Sequence, residues 1–406
     1  MMYWQLAWRN IWRNRRRSII TMASVMFAVI LSIIMKSMIT GVWGKMVKDV
    51  VSFSSGYLQI HKAGYWNEQS IDNAFKADEQ LFVELNQHPD IVCWSPRMES
   101  FSLASVSEKT KGVLINGIDP DKENEATQLS EKITSGKYLS KQDKAVMIAE
   151  GLAQYLKIKV NDTIVLLGQG YHGNMAAAKY PVKAIVHIGV VELNQSMVWM
   201  PLQTSQSYFT ADSLLTSVSI MLKNNNRMDE VKQSLQSGTA AAGYEILNWK
   251  EMLPELDQMV EGDSAAHFLV IYVLYFVISF GIFGTLLMMM NERMHEFGIL
   301  LAIGMKKHIM AFITVTEVLM IALLGTFAGA CLAFPVLLYF YNHPIRFSGE
   351  LAKVYEGFGM EAVLPPALDP IIFISQAYTV FFIVMLLSLY PIYVIKRMKI
   401  IKAINA

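Results

Sequence analysis

The chain has 406 residues, 53% of them hydrophobic and 17% charged, a balance too apolar for an ordinary soluble protein, so part of it is expected in lipid. A formal net charge of +1 excludes the global basic excess of a nucleic-acid binder and leaves functional charge to local patches. The two cysteines, Cys93 in a polar stretch and Cys331 in an apolar one, predict no structural disulfide.

Residues 1–17 predict an amphipathic helix: Trp4, Trp8, Ile11 and Trp12 recur at helical spacing while Arg9, Arg13 and Arg16 lie elsewhere around it. Such a helix suits the headgroup layer, tryptophans toward acyl chains and arginines toward anionic lipid. A first span follows at 18–43, uncharged until Lys36; its apolar run exceeds the roughly 7 to 15 residues of a signal-peptide core. Residues 44–263 change character and predict an extracytoplasmic domain. Then come span 2 at 264–290, a cytoplasmic loop at 291–308, span 3 at 309–341, an outer loop at 342–369, span 4 at 370–395 and a tail at 396–406. Basic residues set the orientation: Arg9, Arg13, Arg15, Arg16 and Arg17 precede span 1, Arg293, Lys306 and Lys307 separate spans 2 and 3, and Lys396, Arg397, Lys399 and Lys402 follow span 4. These flanks, and both termini, are expected in the cytoplasm. In the outer loop Glu350, Glu356, Glu361 and Asp369 outnumber Arg346 and Lys353.

Within 44–263, apolar runs at 56–60, 113–118, 145–149, 163–167, 182–187, 197–200 and 217–222 read as strands, and 152–156, 204–209 and 227–236 as helices. The expected fold is thus four transmembrane α-helices with an α+β extracytoplasmic domain, in one or two lobes, inserted between helices 1 and 2. Gly168, Gly170 and Gly173 spell GxGxxG, but the residues up to Pro181 leave no room for a phosphate-capping helix, so a glycine-rich loop or hairpin tip is expected. Ser135, Gly136 and Lys137 lack the rest of a phosphate loop. His61, His88, His172 and His187 show no metal-ligand spacing. No catalytic residue, metal site or nucleic-acid partner is predicted. Glu317, a carboxylate in an apolar helix, predicts an interhelical hydrogen-bonding role or reach to cytoplasmic water rather than a proton relay.

The stretch from Asn291 to His308 resembles the ERxxEFGxLxAxG signature of the FtsX-like permease family of ABC transporters, which includes MacB and the lipoprotein-releasing LolC and LolE types. Glu292, Arg293, Glu296, Phe297, Gly298, Leu300, Ala302 and Gly304 fall on that pattern, with Leu301 where a polar residue is frequent. The start AWRNIWRNRRRS, the ending YPIYVIKRMKIIKAI with Ile401 in place of a proline, and the outer segment around EGLAQYLKIKVNDTIVLL are similar to family patterns, with Asn161 replacing a glycine.

The resemblance implies a bacterial inner-membrane permease that pairs with a second permease subunit, as homo- or heterodimer, on an ABC ATPase dimer. ATP and Mg would be bound by that partner, with no cofactor in this chain. Glu292 to Gly304 would couple to the ATPase, Phe297 and Leu300 filling a pocket and Glu292, Arg293 and Glu296 making rim contacts. Met22, Met26, Phe27 and Ile30 of span 1 with Phe268, Tyr272 and Phe276 of span 2 are the candidate apolar wall of a substrate cavity, a lipid-facing or helix-packing role being equally open to them. The implied activity is extraction of lipoproteins from the outer leaflet toward a periplasmic carrier. Export of peptides, antibiotics or lipids, or FtsX-like mechanotransmission to a cell-wall hydrolase without transport, are the alternatives.

Overall fold

The computed structural model describes residues 2–13, 15–238, 243–350, 352 and 362–398. The side chain of Arg17, and Lys353, Glu356, Glu361, Lys399, Ile401 and Lys402, lie outside that description. The chain divides into two compact units: residues up to Gly44, 260–346 and 363 onward form one, and 45–259 with 347–362 the other.

Two helices open the chain, α1 (Met2–Arg13) and α2 (Arg15–Phe53). On α1, Trp4, Trp8 and Trp12 are exposed, whereas Ala7 and Ile11 are buried. Ile11 thus parts from the tryptophans it was expected to join at the lipid face. The ridge it forms with Ala7, at i and i+4, is the side available for helix packing.

The outer unit is built on strands β1 (Leu58–Lys62), β2 (Ile91–Val106), β3 (Lys109–Ile118), β4 (Ile133–Gly136), β5 (Val146–Ala149), β6 (Thr163–Gln169), β7 (Met175–Val186), β8 (Met197–Pro201), β9 (Ser217–Leu222) and β10 (Tyr244–Asn248). Between them stand α3 (Tyr65–Glu68), α4 (Glu79–Gln87), α5 (Pro120–Thr127), α6 (Glu150–Leu156), α7 (Val191–Ser196), α8 (Leu202–Phe209), α9 (Met228–Ser237) and α10 (Trp249–Met252). The order β10-β1-β9-β2-β3-β8-β5-β7-β4, with β6 pairing both β2 and β7, closes β2-β3-β8-β5-β7-β6 into a ring. Ala104, Val113, Ile115, Met147, Ile148, Ile164 and Leu166 of these strands are buried in one apolar core, and closure leaves the six strands no common open edge. β2 serves both parts: its first half pairs with β9, and its second with β3 and β6. The GxGxxG glycines fall at the end of β6 and in the turn to β7, where His172 and Gly173 have φ of 53° and 75°.

The helical unit continues with α11 (Pro254–Ala302), α12 (Lys307–Asn342), α13 (Pro370–Leu387) and α14 (Leu389–Arg397). Four stretches are long and apolar enough to cross a membrane: Ser18–Phe53, Phe268–Ala302, Lys307–Asn342 and Pro370–Arg397. The last is two helices meeting at Ser388, because Pro391 lacks an N–H and its ring opposes the carbonyl four residues earlier, at Leu387. A shared core joins the helices through Val25, Val29 and Ile33, Ile278, Ile282 and Leu286, Val318 and Ala322, and Val380 and Val384. Gly325 and Gly329 of α12 meet α2 at its backbone: a Cβ at these positions would lie 2.9 Å from Met22 O and 2.8 Å from Met26 O. The same ascending order on both helices makes spans 1 and 3 parallel. At the far end Ser37 Oγ donates to Ala367 O at 2.6 Å, and the short pair β11 (Ile345–Arg346) and β12 (Val363–Leu364) closes the loop.

Candidate functional site

Most of the candidate coupling segment at 291–308 is helix. Nothing from Asn291 to Ala302 breaks a helix except Gly298, so α11 runs on until Gly304 ends it. There Met305 N donates to Leu300 O at 3.0 Å and Gly304 N to Leu301 O at 3.1 Å, a Schellman arrangement whose central residue must be left-handed. Gly304 has φ of 101°, which a Cβ would resist. The true connection is Ile303 to Lys306.

Burial re-sorts the signature residues. Phe297, expected as a pocket-filling anchor for a partner, is 4% exposed and packs inside the chain with Met290, Leu301, Met310, Ala311, Ile395 and Met398. Arg293, expected at a rim, is buried as well, and its Nη1 donates to Glu317 Oε2 at 2.5 Å. The sequence reading left Glu317 without a partner; the partner stands 24 residues earlier on the adjacent helix. Gly298 is buried, Glu292 exposed, and Glu296 half-buried with its Oε2 3.2 Å from Arg13 Nη2 on α1. What the tip of α11 presents outward is Ile299, Leu300 and Ile303, the last 79% exposed. Ile299 and Ile303 were not singled out from the sequence; an isoleucine directly before the helix-ending Gly304 was the available signal.

Two cavities flank this tip. One of about 160 Å³ is lined by Asn10, Arg13, Arg293, Glu296, Phe297, Leu300 and Thr314 among others, and one of about 620 Å³ by Trp12, Arg13, Arg15, Arg16, Ile20, Met288 and Glu292 among others. Neither includes the seven residues expected to wall a substrate cavity. Ile30 packs against the bundle core, Met22 and Met26 are half-buried with their carbonyls under the two glycines, and only Phe27, Phe268, Tyr272 and Phe276 are exposed. Lys36 Nζ lies 5.7 Å from the Phe268 ring centre, joining spans 1 and 2 at that level. Phe268, Tyr272 and Phe276 recur at four-residue spacing and so form one exposed apolar ridge of α11.

A second charged centre sits in the outer unit. Arg97 is fully buried on β2; its Nε and Nη2 hold Glu123 of α5 at 3.1 and 2.7 Å, while Nη1 and Nη2 donate to the carbonyls of Ser54 and Ser52 at 2.7 and 3.1 Å. The guanidinium therefore caps the carbonyl end of α2 and fastens it to the sheet. Burial pulls Arg97 down, but the carboxylates of Glu123 and Glu99 outweigh it and hold it above its usual range. Burial pushes Glu99 above the usual carboxylate range despite Arg97. His61, fully buried on β1 beside Tyr65 and Trp66, is lowered to about 4 by burial and is neutral at pH 7. Burial raises the Cys93 thiol to about 11, so it is a poor nucleophile. Among the described residues no group of three or more His, Cys, Asp or Glu side chains could hold a metal ion.

The MacB-like periplasmic core domain family matches residues 18–237, and the FtsX-like permease C-terminal family matches residues 268–400. Similar proteins include the lipoprotein-releasing system transmembrane protein LolC of Neisseria meningitidis serogroup B, 20% identical over 268 residues that make up 64% of each chain. LolE of Haemophilus influenzae is 21% identical over 56% of each chain, and the macrolide export ATP-binding/permease protein MacB of Escherichia coli 22% identical over 35% of this chain and 22% of its own. The chain thus spans less than two thirds of the length of these relatives. The periplasmic region of MacB from Actinobacillus actinomycetemcomitans aligns with 52% of this chain and 98% of its own at 13% identity and a TM-score of 0.36. The extracellular domain of YknZ from Gram-positive bacteria aligns with 47% of this chain and 99% of its own at 12% identity and a TM-score of 0.33.

Proposed function

Because the chain belongs to the MacB/FtsX-like permease family of ABC transporters, we propose that it is the membrane subunit of a bacterial inner-membrane complex that extracts lipoproteins from the outer leaflet. ATP and Mg are bound and ATP is hydrolysed in a separate chain. The observation that carries this reading is the match to LolC over 64% of both chains, against 35% of this chain for MacB. The basic end of the bundle faces the cytoplasm and the β-rich unit the periplasm, where a soluble carrier receives the cargo. Two permease subunits, identical or not, stand on an ATPase dimer. The ATPase takes the apolar tip of α11, Ile299, Leu300 and Ile303, with Glu292 and Glu296 at its rim. Arg293, Phe297 and Gly298 act from behind by holding that tip in shape. The open face of Phe268, Tyr272 and Phe276, with Phe27, receives acyl chains once the second subunit covers it.

A second reading, in which hydrolysis moves the outer unit and nothing is transported, is favoured by the Arg97 joint at the end of α2. The same geometry with a peptide, antibiotic or lipid as cargo is the alternative within transport. Tyr272→Arg and Phe276→Arg test the first reading, since both side chains are exposed and leave the bundle core intact. A cation near the middle of a span costs roughly 2.5–3.5 kcal/mol, so release of a labelled lipoprotein from proteoliposomes is expected to fall at least about tenfold while ATP hydrolysis continues. Release at the original rate removes the cavity assignment. If the unsubstituted complex releases no lipoprotein, the cargo is different or the action is mechanical.

A further inference from the structure

The two buried arginines are held differently. Arg97 offers the side-on edge of its guanidinium, Nε and Nη2, to both oxygens of Glu123. Arg293 spends only Nη1, on Glu317, and its Nε and Nη2 find no acceptor among the described residues although both atoms are buried. A guanidinium edge of that shape fits a carboxylate bidentately. The cavity of about 160 Å³ that Arg293 lines is also lined by Glu296, three residues on along α11 and so on the same side of the helix. In the arrangement observed, the Glu296 carboxylate is paired with Arg13, which lines the same cavity, and the two side chains are 45% and 63% exposed.

We propose that the side-on edge of Arg293 is a carboxylate-binding site whose ligand is Glu296, which exchanges between Arg13 of α1 and Arg293 beneath it. Proximity selects this occupant: Glu296 and Arg293 line one small cavity and stand three residues apart on one helix. Exchange has a mechanical result. With Glu296 on Arg13, α1 is tied to α11; with Glu296 on Arg293, that tie is released and the buried fork is satisfied. The exchange needs nothing beyond these four side chains. That a partner ATPase triggers it rests on the proposed contact at the α11 tip, and the test below needs no ATPase.

The purified chain in nanodiscs is unfolded thermally in a set combining Arg13→Gln, Arg293→Lys and Glu296→Gln. Arg293→Lys keeps a cation opposite Glu317 but has no side-on edge. With Arg13 present, the effect of Glu296→Gln is expected to be the same with Arg or Lys at 293. With Arg13→Gln, the two sites are expected to couple, changing the unfolding equilibrium constant by a factor of about five or more. Absence of that coupling, or equal coupling in both backgrounds, overturns the exchange. A second measurement does not depend on the lysine variant folding: spin labels at Arg9 and Asn291, both exposed, report the separation of α1 from α11. Arg13→Gln is expected to lengthen and broaden that distance; an unchanged distribution overturns the release of α1.

Discussion

Replacing Arg97 by methionine keeps much of the side chain's volume and removes its charge. Glu123, 1% exposed, then loses both of its guanidinium bonds, and the carbonyls of Ser52 and Ser54 at the end of α2 lose their donors. Removing one member of a buried ion pair costs about 3–5 kcal/mol, because the remaining charge is stranded. For a unit of this size, each kcal/mol lowers the melting temperature by roughly 2–4 °C, so a fall of about 6–20 °C is expected. The assay is thermal and urea unfolding of the full chain in detergent, followed by fluorescence of the buried Trp94 and Trp199 against the remaining tryptophans replaced by phenylalanine. Arg97→Met with Glu123→Leu removes that pair and is expected to recover part of the loss, Glu99 and the carbonyls of Ser52 and Ser54 still lacking their donor, because an apolar replacement of a buried pair is often near neutral. A single-variant loss below about 1 kcal/mol, or a double variant no better than the single, refutes the account of Arg97 as the fastening of α2.

Two further outcomes are expected. His61 has a folded-state value of about 4 against about 6.5 unfolded, so below pH 6.5 the unfolded chain takes up a proton that the folded one refuses. Stability is complete above 6.5 and is lost as pH falls toward 4, by about 2 kcal/mol at pH 5; urea midpoints at pH 7 and 5 should show this slope, and His61→Leu should remove its share. At the α11 tip, Ile303→Ala is expected to leave the melting temperature unchanged and reduce co-purification of the ATPase, whereas Phe297→Ala is expected to cost about 3–5 kcal/mol of stability. The reverse pattern would restore Phe297 as the partner's anchor.

The spans were legible because hydropathy is a one-dimensional property. Each of the seven strand runs also has a counterpart in the sheet. β2, the longest strand, was not read, because Pro96, Arg97 and Glu99 interrupt its apolar pattern. Pro96 is tolerated because pairing with β3 begins only at Arg97, and the charges are tolerated because they meet each other and Glu123 inside the fold. The partner of Arg293 was not legible for a related reason: a charge near a membrane surface reads as outward-facing until its partner is found. Glu317 is on another helix, and no local spacing connects the two. Phe297 and Ile303 differ in the same way, being equally apolar, with only the packing of α12 and α14 deciding which is covered.

The contact of Gly325 and Gly329 with α2 restricts how spans 1 and 3 can shift. Val25 and Val29 stand against the two glycines at the same four-residue spacing, with their Cβ atoms 3.0 and 2.9 Å from where a glycine Cβ would be. A small slide along the helix axis would press a valine into a neighbour that has a side chain, Thr326 or Ala328. The two helices therefore engage like racks cut to one pitch, whose next seating lies about four residues, or 6 Å, away. Between seatings the pair travels as a single rod.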